Sequence, residues 1–286
     1  PVLENFDGRR WRALPDTARR QKAAVQLRQP LADAAVHSYE IVLEAHHQRW
    51  LLPLETPLTW DAADASLSTT RELLSARPVA SRSAWRGRSA TMPRFRDARP
   101  PEPATLAVNT VRNPRSAALA GEMRAAAGSD RAYLRNILGM FRQQAFYYTL
   151  EPPALGDHPV DDFLFRTRSG FCEHYASAFA MLARAAGIPA RVVTGYQGGE
   201  PNPLADYWIV RQSDAHAWTE VWLDGYWERY DPTAAVAPER VDEGIGAALP
   251  GSVSADLPLL GNSPWFDQMA FGWDALNAQW DRWVLA

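Results

Sequence analysis

The chain of 286 residues contains one cysteine, Cys172, and one lysine, Lys22. A single cysteine excludes a disulfide within the chain and any zinc site built on several thiolates. It leaves one thiol, either an inert core residue or a reactive group. Arginine supplies all but one of the 30 basic residues, against 33 acidic ones, for a net charge of −3. No stretch concentrates basic side chains enough to neutralise a run of phosphates, so nucleic acid is not an expected partner. An uninterrupted apolar run of ~18 residues is also missing, so no segment reads as a bilayer span. The chain opens at Pro1 with no initiator methionine and no signal-like segment, which reads as a piece of a longer protein. With 47% hydrophobic and 22% charged residues, the remaining composition is that of a globular protein. The length suits two packed units or one large one, at ~150 residues per domain.

Three regions follow from the patterning. Residues 1–108 read as β-rich: Asn5–Leu14 (NFDGRRWRAL) carries an Asp-Gly turn flanked by aromatics, Tyr39–Leu43 reads as a strand, and prolines punctuate the rest. His46 and His47 fall in a turn between strands; adjacent residues on extended chain face opposite ways, so they read as surface residues and not a metal pair. Residues 109–240 open with helical spacing over 116–127 and 130–144. In the second of these, Tyr133, Leu134, Ile137, Leu138 and Phe141 share a side, and Ser129 or Asp130 serves as cap. Strand-like runs follow at 191–196, 207–212, 215–223 and 226–230. Helices followed by antiparallel strands predict an α+β fold and not a parallel doubly wound sheet. Residues 241–286 read as a loop leading to a Trp-rich helix carrying Trp265, Trp273, Trp280 and Trp283. That stripe would either pack on the domain or sit at a membrane interface.

Cys172 opens a helix. Tyr175, Phe179, Leu182 and Ala186 recur at helical spacing after it, and Gly187-Ile188-Pro189 supplies a left-handed cap and a stop. At a helix N-terminus the dipole and unpaired N–H groups favour a thiolate and can receive an oxyanion. Burial as an inert residue is the common alternative for a cysteine. His174 lies two residues along the same helix, about 200° around it, so its ring points away from the thiol and reads as a packing residue.

His216 is the better candidate base. Residues 215–222 alternate as a strand does, and Asp224-Gly225 predicts a two-residue hairpin into 226–230. In that register Trp218 faces Asp231, and His216 shares the face of Trp218. Asp231 then lies diagonally beside His216, within reach of a carboxylate–imidazole hydrogen bond. A neutral histidine oriented by an aspartate can deprotonate a thiol and return the proton to a leaving amine.

The blocks GFCEHYASAF (170–179), GIPARVVTGY (187–196), SDAHAWTEVW (213–222) and YDPT (230–233) together resemble the transglutaminase-like branch of the papain-type cysteine enzymes. FDGRRW, Asn113-Pro114-Arg115 and FYYTL further resemble bacterial inner-membrane proteins of the TgpA type. The resemblance implies a papain-like core, with the cysteine helix packed on an antiparallel sheet, beside an N-terminal β-rich region. It implies Cys172 as nucleophile, His216 as base, Asp231 as orienting acid, and Trp218, Tyr147 and Phe163 as walls of the acyl-donor cleft. No metal or other cofactor is implied. The backbone N–H of Cys172 is the one oxyanion donor that can be named. The setting implied is a periplasmic domain, with transmembrane segments flanking it outside this chain and 241–286 leading toward a membrane anchor.

The chemistry expected is acyl transfer from a glutamine carboxamide, through a Cys172 thioester, to an amine, in the manner of a protein-glutamine gamma-glutamyltransferase, with a role in cell-envelope maintenance. A cysteine peptidase or amidase acting on an envelope peptide would use the same three residues, since acceptor choice depends on water exclusion and cleft shape. A peptide-binding module without turnover is the third reading. A chain with one lysine also offers few amine acceptors to itself, which a bias toward arginine explains equally well.

Overall fold

In the computed structural model the described residues are 1–14, 34–91, 94–96 for their backbone, and 101–239. Lys22 and the expected Trp-rich helix lie outside them.

The cysteine helix (Cys172–Ala185) is the centre of the fold. Tyr175, Phe179 and Leu182, placed on one face by their spacing, are fully buried. The helix ends as its sequence requires. Gly187 takes a φ of +80°, its N–H bonds to Arg184 O at 2.9 Å, and Ile188 N–H reaches back to Ala183 O at 3.0 Å. The helix packs along two neighbouring strands, Ala190–Tyr196 and the histidine strand (Ala215–Leu223). Thr219 Oγ1 donates to Ala176 O at 3.0 Å across that interface, which satisfies the buried threonine hydroxyl in an otherwise apolar layer. Pro114–Ala125 also packs on the helix, and Asp130–Gln143 reaches it through Tyr133, whose O–H donates to Leu182 O at 2.8 Å. Ser129 caps the second of these by accepting from Ala132 N–H at 3.2 Å. The first is capped from a distance: Asp161 accepts from Arg115 N–H at 3.0 Å and Ser116 N–H at 2.7 Å.

Among the described residues the central sheet has five strands, all neighbours antiparallel, in the order Val2–Leu3, Ala190–Tyr196, Ala215–Leu223, Tyr226–Tyr230, Arg94–Arg96. The fold is therefore α+β. Asp224 and Gly225 both take positive φ, +54° and +85°, so the turn twists as the strands do. The hairpin register follows: Thr219 faces Tyr230 and Leu223 faces Tyr226. Among the described residues the run expected over 207–212 pairs only at Trp208–Ile209, in a small hairpin with Glu200–Pro201, and Gln212 already belongs to the 3₁₀ turn Gln212–Asp214.

Both outer strands of this sheet come from residues before 97, so the N-terminal β-rich region and the region after residue 109 share one sheet. Elsewhere in the β-rich region a three-stranded sheet, Ala35–Leu43, Ser83–Thr91 and Thr56–Trp60, covers a small core of Leu43, Leu51, Leu73, Val79 and Trp85, and Asn5–Phe6 with Trp11–Arg12 and Ala65–Leu67 with Leu73–Ser75 form two-stranded pairs. His46 and His47 sit in the turn after Ala35–Leu43, both N–H groups donating to Val79 O.

Two buried arginines tie residues 1–14 to the core. Arg184 donates to Ala190 O (2.8 Å), Ala107 O (3.0 Å) and Glu4 O (2.8 Å), and stacks on Trp11. Burial pulls its pKa down to about 9. Arg191 pairs with Glu220 at 2.7 Å and Glu4 at 3.4 Å and lies over the Trp227 ring. Burial raises the Glu4 pKa, and Arg191 opposes that rise. Arg191→Met should therefore strand two carboxylates in a dry layer, at a cost of about 3–5 kcal/mol. Thermal unfolding near neutral pH should show Tm lower by roughly 10 °C. A Tm within ~2 °C of wild type would refute this account of the tether.

Candidate active site

Cys172 is the first residue of its helix and 6% exposed. Phe171 before it is extended, with φ −115° and ψ −175°, so the chain enters the helix through a sharp change of direction. Gly170 is required there: a Cβ would come within 2.6 Å of the His174 ring. That ring packs against Phe171 and Phe163, and its Nδ1 accepts from Phe171 N–H at 3.4 Å. His174 thus closes the first turn of the helix by a backbone contact, as a packing residue.

Burial depresses the His174 pKa below its ordinary 6.5. The unfolded chain then takes this proton more readily than the folded one. The stability so contributed is complete above about pH 6.5 and is lost as the pH falls toward the lower folded value. Between about pH 7.5 and pH 5, wild type should lose more stability in denaturant titrations than His174→Asn, which keeps an acceptor but does not titrate. Equal losses would remove this explanation.

His216 is buried on the histidine strand, opposite Gly195. Its Nε2–H donates to Asp231 Oδ2 at 2.7 Å. With that proton on Nε2, the lone pair of the neutral ring lies on Nδ1. Nδ1 is buried and has no hydrogen-bond partner among the described residues. Asp231 is held at its other oxygen, Oδ1 accepting from Thr233 N–H at 3.1 Å. Pro232 ends the strand and starts the short 3₁₀ turn Pro232–Ala235, so the carboxylate caps a turn and orients a histidine at once.

Trp218 lies beside this pair, its ring 6.3 Å from that of His216 and inclined by 23°. It covers the backbone of Gly195, where a Cβ would meet its Cη2 at 3.0 Å. The Arg229 guanidinium sits over the Trp218 ring at 4.2 Å and approaches Asp231 Oδ2 at 3.5 Å. The sequence reading passed over Arg229, although the hairpin register already places it diagonally beside Trp218.

Tyr147 is 62% exposed, on a two-residue strand paired in parallel with Ser169–Gly170, the segment that leads into Cys172. Its carbonyl accepts from Tyr175 O–H at 2.9 Å, which fixes the backbone and leaves the phenol in solvent. Phe163 needs correction as a cleft wall. Its ring is 1% exposed, packed among Phe141, Phe146, Tyr175 and His174, and offers no face to a substrate. Among the described residues no group of three or more His, Cys, Asp or Glu side chains is arranged to hold a metal, and no helix is long and apolar enough to cross a membrane.

Comparison with known proteins agrees with this architecture. Residues 117–232 match the transglutaminase-like superfamily, and residues 1–96 match the TgpA N-terminal domain. The chain is 42% identical, over 301 aligned positions, to a protein-glutamine gamma-glutamyltransferase of Pseudomonas aeruginosa. That alignment takes in all of this chain and 43% of the relative, so the chain spans less than half of that protein. An uncharacterized protein of Bacillus subtilis, YebA, is 39% identical over 97 residues, 31% of this chain and 13% of its own length. Among solved structures, the periplasmic domain of TgpA from Pseudomonas aeruginosa bound to ethylmercury superposes with a TM-score of 0.75 at 41% identity, covering 85% of each chain. A second structure of that domain gives a TM-score of 0.74 at 40% identity, covering 87% of this chain and 85% of the other. The chain belongs to the transglutaminase-like superfamily, in its TgpA-type branch.

Proposed function

We propose that this chain is the catalytic domain of a protein-glutamine gamma-glutamyltransferase, with Cys172 as nucleophile, His216 as general base and acid, and Asp231 as the group that orients the histidine. The observation that carries this reading is the His216–Asp231 hydrogen bond of 2.7 Å, with the opposite ring nitrogen left unpartnered. The strand that presents His216 is the one against which the cysteine helix packs. The 42% identity to a relative with that activity supports the substrate class. The match to a periplasmic domain supports a periplasmic setting, beside membrane segments outside this chain. We keep the three-part division near residues 108 and 240 as the domain proposal.

His216 Nδ1 takes the thiol proton, and the Cys172 thiolate attacks the glutamine carboxamide carbon. The oxyanion that forms is received by N–H groups at the helix start, that of Cys172 among them. Collapse breaks the C–N bond, the imidazolium returns its proton to the leaving nitrogen, and ammonia departs from a thioester. An incoming amine gives its proton to His216 as it attacks, and the thiolate leaves an isopeptide bond. Asp231 orients the ring and stabilises the imidazolium, as the aspartate does in other triads. Water in place of the amine would give deamidation by the same steps. Tyr147, exposed beside the segment leading to Cys172, and Trp218, against His216, remain the two proposed contacts for the glutamine-bearing chain.

The test is incorporation of a labelled primary amine into a glutamine-rich protein, run beside ammonia release, with and without prior alkylation by iodoacetamide. Incorporation that alkylation removes is the expected result. Ammonia release or peptide cleavage without incorporation would replace transfer by hydrolysis, and silence in both assays would overturn the enzymatic reading for these substrates.

A further inference from the structure

We infer that Arg229 is a positioning residue of this site, one guanidinium that sets the His216–Asp231 pair from two sides. Three contacts carry the inference. A terminal nitrogen of Arg229 approaches Asp231 Oδ2 at 3.5 Å, the same oxygen that accepts from His216 at 2.7 Å. The flat guanidinium lies over the Trp218 ring at 4.2 Å, and that ring stacks in turn on His216. The same Arg229 nitrogen donates to Gln197 Oε1. Gln197 is itself pinned at the root of the 197–211 loop, its N–H donating to Asp214 O at 3.0 Å, two residues before His216.

The arrangement comes from the register. On the sheet face that carries His216, Gly195 lies opposite His216, and Arg229 lies opposite Glu220, diagonally beside Trp218. Gly195 has no side chain, so Trp218 can lie flat across it. The Arg229 stack holds one face of the indole, and the indole bounds the His216 ring. A planar, delocalised cation suits both jobs, stacking on the indole while directing N–H groups at a carboxylate and an amide oxygen. As an ion pair alone the contact would be weak, because Arg229 is partly exposed and water screens it. Its importance lies in geometry: misplacing a catalytic group by about 1 Å can cost ~100-fold in rate.

This inference rests on the catalytic reading of Cys172, His216 and Asp231, and the experiment separates the two. Arg229→Met, Arg229→Gln, Arg229→Lys and His216→Ala are compared with wild type in the whole domain, with rates expressed per thiol titrated by iodoacetamide. Arg229→Met and Arg229→Gln should lower kcat for amine incorporation by about 10- to 100-fold, leave KM for the glutamine substrate unchanged, and leave Tm near that of wild type. Arg229→Lys, which keeps the charge but not the plane, should recover part of the loss. If His216→Ala is inactive but Arg229→Met and Arg229→Gln keep wild-type kcat per thiol, Arg229 is only a surface side chain and the inference falls. The same holds if they lower Tm and the number of reactive thiols without changing kcat per thiol. If His216→Ala remains active, the reading of the site itself fails, and the role of Arg229 with it.

Discussion

Cys172→Ala should abolish amine incorporation and ammonia release together, a loss of at least about 10⁴-fold, while the domain stays folded. No second cysteine exists to replace the thiol. The change removes one sulfur atom from a 6% exposed position at the start of a helix whose remaining buried face is intact. The packing loss should be about 1 kcal/mol, which in a domain of this size moves Tm by roughly 2–4 °C. The check is paired: turnover by amine incorporation, folding by thermal unfolding and far-UV circular dichroism. Turnover within tenfold of wild type would take the nucleophile away from Cys172. A collapsed fold would make the residue structural, its loss of activity no longer evidence of chemistry.

Asp231→Asn should cost about 10³- to 10⁴-fold in kcat with little change in KM. The reason lies in the two oxygens of Asp231. Asn can keep its carbonyl oxygen on Thr233 N–H, the contact now made by Oδ1 at 3.1 Å, so the turn at Pro232 survives. Its amide nitrogen then occupies the place of Oδ2 and must donate to His216 Nε2 where Asp231 now accepts. The ring proton moves to Nδ1, and the lone pair that should receive the thiol proton is gone. Asp231→Ala should be as inactive and also less stable, since Thr233 N–H loses its acceptor. Full turnover by Asp231→Asn, at any pH near neutrality, would mean that the hydrogen bond to His216 has no part in the reaction.

Both predictions concern residues legible in the chain before any fold was known, because local rules governed them. The cysteine helix was visible in the spacing of Tyr175, Phe179 and Leu182 and in the stop at Gly187-Ile188-Pro189. The Asp231–His216 pairing was visible because a two-residue Asp-Gly turn admits one register, and one register sets which side chains share a face. Helix caps, turn chemistry and side-chain period act over a few residues, so they can be read from a few residues.

Other parts could not be read that way. Phe163 is a cleft wall by resemblance alone, and which aromatic faces solvent depends on what packs above it. Here Phe141, Phe146, Tyr175 and His174 close over Phe163 while Tyr147 stays outside. The sheet draws its outer strands from Val2–Leu3 and Arg94–Arg96, far from its centre in sequence, and no local pattern announces those pairings. Arg184 and Arg191 look like ordinary basic residues at a helix end and on a strand. Only the assembled fold shows one satisfied by three backbone carbonyls and the other between two carboxylates.

By itself the sequence determined an α+β chain with one thiol at a helix start and a histidine and an aspartate adjacent across a hairpin. Tertiary structure decided which face of that histidine stays unpartnered, which aromatic rings are buried, and that Arg229 reaches Asp231, Trp218 and Gln197 at once. The difference is one of range. Turns and periodicity are set by backbone sterics between near neighbours, whereas burial and multi-body contacts exist only once distant segments have packed against each other.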